Sequence, residues 1–244
     1  MTKTSVLYKS NLFGKIIWFI HRFGAKEMFL KPLRWFLAPI FIHILPKTTF
    51  DYQGRPLDLA YHRHNATWSN ERAVEVPIAE EYLDRYAGKS ILEIGHVTPY
   101  YFDVHHLIID KYEKASNSIE VINQDFINFE TDHIFDLILS ISTVEHIGFD
   151  DDGDSHEKIP LTISKCRSML RPSGVFLMTV PLGYNPVLDE LITTDELGCD
   201  NVTYIRRDAR RKWARCRKDD ALRCEYGRPF AYANCIMVAE FNCA

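Results

Sequence analysis

The strongest constraint on this chain is a succession of short apolar runs between residues 90 and 180, several of them closing on glycine, serine or an acid. Ser90-Ile-Leu-Glu-Ile-Gly95, His106-Leu-Ile-Ile-Asp110, Ile119-Glu-Val-Ile-Asn-Gln-Asp125 and Phe135-Asp-Leu-Ile-Leu-Ser-Ile-Ser142 read as strands, the last being the clearest. Asp154 follows as a helix N-cap with Glu157 three residues on, and Ile159, Ile163, Cys166 and Leu170 recur at helical spacing. Arg171-Pro-Ser-Gly174 is then a turn into a fifth strand, Val175 to Val180. Val202 to Ile205 and Asn234 to Glu240 are expected to pair as a final antiparallel hairpin. Strands alternating with helices make an α/β chain, a doubly wound and mostly parallel sheet with helices on both faces. Ligands of such sheets bind outside the carboxyl ends of the strands. The chemistry is therefore expected in the loops after Gly95, Asp110, Asp125, Ser142 and Val180.

Composition narrows the classes. The chain has 244 residues, 46% of them hydrophobic, which suffices for a full core and excludes disorder. The net charge of -4 argues against a general nucleic-acid binder. That charge is unevenly spread: residues 1–47 carry eight Lys or Arg and one acid, Glu27, which leaves the remainder strongly acidic. The six cysteines include no Cys-x-x-Cys pair and no His/Cys quartet at zinc spacing, so no metal is expected and the thiols read as reduced. With no secretory leader visible, a cytoplasmic location is expected.

Residues 1–50 form a basic, aromatic, helical extension, and residues 51–244 the main domain. Ser10 to Phe23 and Lys26 to Leu45 read as helices, the second kinked near Pro39. Trp18, Trp35 and several Phe interleaved with Lys and Arg suit a helix pair lying on an anionic membrane at the inner face. A helical cap docked on the domain, or a dimer surface, suits them equally. The longest uncharged run, Trp35 to Pro46, is too short to span a bilayer.

Five elements in order give the chain its likeness to a known family. Ile91-Leu-Glu-Ile-Gly95, Asp110, Asp125, Phe135-Asp-Leu-Ile-Leu-Ser140 with Val144-Glu-His146, and Leu170-Arg-Pro-Ser-Gly174 before Val175 to Pro181 resemble the class I S-adenosylmethionine-dependent methyltransferases over residues 85–185. Asn65 to Pro77, Ser140 to Gly148 and Val180 to Pro186 are similar to bacterial methyltransferases linked to surface-polysaccharide biosynthesis. The resemblance implies a Rossmann-like domain, S-adenosylmethionine as cofactor, and methyl transfer to a hydroxyl or amine of a small-molecule or glycan acceptor.

It also implies roles, each with a physical reading beside it. Gly95 lets the backbone pass close to a ligand. Glu93 holds the cofactor's ammonium through amides or water, or else braces the loop. Asp110 accepts the ribose hydroxyls, or else caps a turn. Asp125 accepts from the adenine amine, with Phe126 covering the ring, and Ser140 and Ser142 line the methionine arm. Tyr100 is a polar contact for the methionine carboxylate. His146 is the candidate base, since its ordinary pKa lies near working pH. Tyr184 and Asn185 are candidate acceptor contacts, and Arg72 suits a carboxylate. His62-Arg-His64 is short of a metal set, and Phe149 to Asp154 reads as a solvated acidic loop. One departure stands out: after Gly95 the loop continues His-Val-Thr-Pro-Tyr-Tyr101, so Val97 occupies the place of a second glycine. A methyltransferase fold that binds without catalysing is therefore the alternative. A nicotinamide enzyme is disfavoured because no Gly-x-Gly-x-x-Gly follows the first strand.

Overall fold

The computed structural model describes residues 13, 14, 16, 17, 20, 24–113, 121–150, 157–208 and 212–243. In chain order the regular elements are α1 (Ala25–Ile44), β1 (Thr49–Tyr52), β2 (Arg55–Asp58), α2 (Arg72–Arg85), β3 (Ile91–Ile94), β4 (Leu107–Ile109), β5 (Val121–Ile122) and β6 (Phe135–Ile141). They continue as α3 (Lys158–Ser168), β7 (Leu170–Pro181), α4 (Pro186–Thr193), β8 (Asn201–Arg207), β9 (Trp213–Cys216), α5 (Lys218–Ala221) and β10 (Cys235–Asn242).

The apolar run of β6 has no polar alternation because both its faces are covered. Ile138 faces a core with Phe176 and Met178 of β7, Ile159 and Ile163 of α3 and Leu188 of α4. Leu137 and Leu139 face the opposite core, with Val74, Ile78 and Tyr82 of α2. Eight strands form one sheet in the order β5-β4-β3-β6-β7-β10-β8-β9. β5, β4, β3, β6 and β7 pair in parallel. β10 lies antiparallel between β7 and β8, and β9 extends β8 antiparallel. The molecule is thus a Rossmann-like α/β sheet with antiparallel C-terminal strands. Chain order reverses at β3, so the ligand crevice of such a sheet falls at the ends of β3, β4 and β6.

Several expectations shift. Val202 to Ile205 does pair with the last strand, Ile205 opposite Ile236, but β10 is inserted beside β7 rather than closing a simple hairpin. Arg171 to Gly174 bulges within β7, between the Phe135–Leu170 and Leu137–Val175 pairs. The connections from β3 to β4 and from β5 to β6 turn through single 3-10 turns, Thr98–Tyr100 and Phe126–Asn128, where the alternation predicted helices. Asp154 lies outside the described residues, and α3 starts after Glu157. Of the predicted helix from Ser10 to Phe23 only isolated helical residues are described.

The hairpin β1–β2 is unexpected. It turns on Gln53 and Gly54, both at positive φ, and Thr49 already pairs with Asp58, so a boundary at residue 50 falls inside β1. α1 contains Pro32 and Pro39 without interruption. Its side toward the domain buries Ala38 and Glu27, the latter bound to Arg34 at 2.6 and 2.9 Å. Phe41 meets the Trp68 ring at 6.0 Å, and Arg63 stacks on Trp35 at 3.7 Å. No described helix is long and apolar enough to cross a membrane.

Candidate functional site

Strand ends converge on one cavity of about 300 Å³, at the small end of ordinary ligand sites (about 300–1,000 Å³). Gly95 after β3, Asp110 after β4, Asp125 and Phe126 after β5, and Ser142 and His146 after β6 line it, with Arg72 at the start of α2. Seven predicted site residues therefore share one wall. A larger groove of about 760 Å³ lies at the amino ends of β3 and β6, by Ser90, Ile91 and Phe135, away from these loops.

Gly95 has φ +90°, and a Cβ there would sit 2.2 Å from Thr143 Oγ1. Its need for glycine is thus met within the fold: the β6 loop closes on it, and Thr143 also lines the cavity. The Asp110 carboxylate already accepts three backbone amides, from Tyr112 at 2.8 Å and Glu113 at 2.7 Å on one oxygen and from His96 at 2.9 Å on the other. A carboxylate offers about four acceptor positions, so one remains for a ligand hydroxyl. Asp125 caps its turn by accepting from Ile127 N, and Lys111 approaches its other oxygen at 3.2 Å.

Five predicted residues are placed elsewhere. Glu93 is fully buried and accepts from Val97 N, Thr98 N, the Thr98 hydroxyl and His106 Nε2. It braces the loop from beneath, because four donors saturate it. Ser140 is likewise wholly buried. Tyr100 packs outside the cavity, stacked on His64 at 3.9 Å, with its hydroxyl toward Glu113. Asn185 caps α4 through Val187 N and Leu188 N and donates to the Glu145 carbonyl at 2.8 Å. Tyr184 is buried with its hydroxyl on Asp150 at 3.0 Å and on His146 Nδ1 at 3.2 Å. The polar atoms of Tyr184 and Asn185 are thus engaged by internal partners.

The cluster around His146 has more members than the sequence revealed. His146 keeps 44% of its side-chain surface open, while Nδ1 is held by Asp150 and Nε2 lies 3.7 Å from Glu145. Burial opposes its charged form, but Glu145 and Asp150 outweigh burial and raise its pKa. Glu145 is buried and pushed up to about 7, chiefly by that burial. Asp150, expected in a solvated loop, is only 8% exposed; its spacing of four from His146 was the available signal. Residues 151–154 of that loop lie outside the described residues.

Arg72 donates to Glu75 at 2.7 Å and to the Ile141 carbonyl at 3.2 Å. Glu75, fully buried, also accepts from Ser142 Oγ at 2.5 Å and Thr179 Oγ1 at 2.8 Å. Ser142 itself sits at φ +43°, a conformation held in place by these bonds. Among the described residues no three His, Cys, Asp or Glu side chains are placed to hold a metal.

No family model matches the chain, and no curated protein matches it. Its fold is similar to the N-methyltransferase NodS from Bradyrhizobium japonicum WM9, solved with S-adenosyl-L-homocysteine. The two share 16% identity over 70% of this chain and 86% of that one, with a TM-score of 0.44. An S-adenosylmethionine-dependent methyltransferase from Archaeoglobus fulgidus is similar at 14% identity, over 68% and 92% of the two chains, with a TM-score of 0.44. The CcbJ methyltransferase from Streptomyces caelestis is similar at 9% identity, over 70% and 89%, with a TM-score of 0.40.

Proposed function

We propose that this protein is an enzyme that transfers a methyl group from S-adenosylmethionine to a hydroxyl, with an amine as the secondary target, of a small-molecule or carbohydrate-linked acceptor. One observation carries the reading: Gly95, Asp110, Asp125 and Phe126 line the same cavity as Ser142 and His146. The donor set fits the cofactor. Asp110 would take a ribose hydroxyl at its remaining acceptor position, Asp125 would accept from the adenine amine, and the Phe126 ring would cover the base. When bound, the cofactor supplies a sulfonium methyl that needs no further activation. The chain's work is then alignment and proton removal. His146 Nε2 takes the acceptor's hydroxyl proton, while Asp150 and Tyr184 fix the ring through Nδ1. The imidazolium that forms is stabilised by Asp150 and Glu145, the carboxylates that raise its pKa. Turnover should therefore rise with pH through the His146 ionisation.

Calorimetry with S-adenosylmethionine and S-adenosylhomocysteine tests the reading, and binding of neither would refute it. Asp110→Ala should weaken both by about tenfold, the worth of one charge-assisted bond. His146→Asn should keep binding and lose most turnover. Val97 on the cavity wall favours the competing reading, a fold that binds without transfer. Release of S-adenosylhomocysteine in the presence of a carbohydrate acceptor separates the two.

For the basic extension we propose contact with an anionic membrane surface at the inner face of the cell. Phe29, Leu33, Phe36, Ile40 and Ile44 fall on one side of α1, between 50% and 73% exposed, within a segment bearing eight cations and one acid. Rings and aliphatics at headgroup depth with flanking cations suit that surface.

A further inference from the structure

Three thiols meet on the antiparallel side of the sheet. Cys235 of β10 is wholly buried, while Cys216 of β9 and Cys224, in the coil after α5, are half-buried and pack against the same core. The Cys216 and Cys235 sulfurs lie 4.0 Å apart, and Cys224 is also in hydrogen-bond contact with Cys235. Strand geometry decides which pair can join. β8 lies between β9 and β10, with Tyr204 opposite both Cys216 and Met237, and Arg206 opposite Cys235. Two strand spacings separate the Cα atoms of Cys216 and Cys235 by at least about 9.5 Å, beyond the roughly 7 Å that a disulfide spans. Cys224 is on no strand, so it can close on Cys235 without breaking the sheet. The bond from Cys235, helped by Arg206, outweighs burial and brings the Cys224 thiol down to about 7. Cys216 is lowered by the same bond, but its strand holds it away. Burial pushes Cys199 up to about 11 and raises Cys166 as well. A thiolate that solvent reaches is the reactive form. The Cys224 segment also touches the candidate site. A Cβ on Gly183 would sit 2.7 Å from Tyr226 N and 3.0 Å from the Cys224 carbonyl oxygen, and the Tyr226 ring meets Tyr184 at 5.1 Å. Tyr184 in turn holds His146 Nδ1 at 3.2 Å.

We propose that Cys224 and Cys235 form an oxidisable dithiol, a modification site for hydroperoxides, whose bridged form is felt at Tyr184 and His146. The Cys224 thiolate attacks the peroxide O–O bond and takes one oxygen to become a sulfenic acid; the other oxygen leaves, once protonated, as water or an alcohol. The Cys235 sulfur then attacks the Cys224 sulfur. The S–O bond breaks, the S–S bond forms, and the Cys235 proton leaves with the hydroxide as water. Two electrons thus pass from two thiols to one peroxide, and a dithiol reductant returns them. Bridging draws the coil toward β10, and with it Tyr226, the neighbour of Tyr184. This inference stands apart from the methyl-transfer reading, since none of its readouts needs a cofactor.

The test treats the full chain with hydrogen peroxide at low excess, alkylates the remaining thiols and maps the peptides by mass spectrometry. Chymotrypsin suits the map, because Tyr226, Phe230 and Tyr232 lie between the two cysteines. The expected product is one cross-linked pair, Cys224 with Cys235, reversed by dithiothreitol and formed several times faster than any other cysteine is oxidised. Cys224→Ser should abolish the bridge, and Cys216→Ser should keep it. Cys235→Ala should stop at the sulfenic acid, which dimedone traps on Cys224. Should that core variant fail to fold, the wild-type map still decides the pair. A bridge through Cys216 overturns the dithiol. So does a Cys224 that is oxidised no faster than the others and stays unbridged. In NMR spectra of the wild type the His146 ring signals should shift on oxidation and return on reduction, with Cys224→Ser as the unresponsive control. A bridge that leaves those signals unmoved overturns the link to the site.

Discussion

α1 and α2 each bury a glutamate against an arginine, and in other respects they are opposites. In α2, Glu75 pairs with Arg72 at 2.7 Å while Val74, Ile78 and Tyr82 pack into a core around it. In α1, Glu27 pairs with Arg34 at 2.6 Å on the side toward the domain, and Phe29, Leu33, Phe36, Ile40 and Ile44 point away from it. An ordinary surface helix does the reverse, with apolar residues inward and charges outward. Apolar content alone therefore does not locate a core. α2 is part of the fold and lines the candidate cavity through Arg72, whereas α1 is attached by a mixed face, the Glu27–Arg34 pair with Ala38 and Phe41, and leaves an apolar stripe exposed.

The largest effect should come from breaking the pair in α2. Glu75→Ala leaves Arg72 without its counter-charge and removes the acceptor of Ser142 and Thr179. A broken buried pair costs about 3–5 kcal/mol, read as a fall in the denaturant midpoint. A loss under about 1 kcal/mol would mean that solvent reaches Arg72 and that α2 is not interior.

A pH dependence follows from the same helix end. Glu145 faces Glu75 and Arg72, and burial first, then Glu75, raises its pKa from 4.5 to about 7. The native state holds this proton more tightly than the unfolded chain does. The contribution is thus fully present below about pH 4.5 and lost as pH rises through about 7. Its size is about 3 kcal/mol at 1.36 kcal/mol per unit. Glu145→Gln should flatten that slope, and stability curves at pH 5 and pH 8 for the two proteins check it.

What the sequence disclosed, and what it did not, follows the same division. The strand ends and their acids were legible because an apolar run and its closing residue are local facts; Asp110 and Asp125 needed only to end adjacent strands to meet. Side-chain direction in the loops was not legible. Glu93, Tyr184 and Asn185 look available in sequence but are saturated by partners that only the tertiary fold supplies. Thr143 closes on Gly95 from a neighbouring strand, a contact no spacing encodes. The β1–β2 hairpin carried one overlooked signal, a glycine in the two-residue Gln53-Gly54 turn where both residues need positive φ. The helices expected between β3 and β4 and between β5 and β6 gave way to 3-10 turns, since about a dozen residues can make a parallel crossover without one.

Breaking the α1 pair should matter less than breaking the α2 pair. The Arg34 side chain is 22% exposed, so water can take over part of the bond. Glu27→Ala should cost about 1–2 kcal/mol, and calorimetric melting measures it. A cost equal to that of Glu75→Ala would erase the distinction between the helices.

The smallest effect on stability should come from the stripe itself. Phe29 and Phe36 are 70% and 73% exposed, so Phe29→Ser with Phe36→Ser removes little buried surface and should shift stability by no more than about 0.5 kcal/mol. The same pair should abolish co-sedimentation with vesicles rich in anionic lipid, since partition depends on the apolar side and the cations acting together. Neutral vesicles supply the control: wild type should bind them far less, because cations contribute only where the surface is negative. If the double variant instead destabilises the protein by several kcal/mol, the stripe is packed against something in solution and α1 is an interface between protein surfaces. Wild-type indifference to anionic vesicles, with stability unchanged in the variant, would remove the membrane from the account and leave α1 as a docked cap.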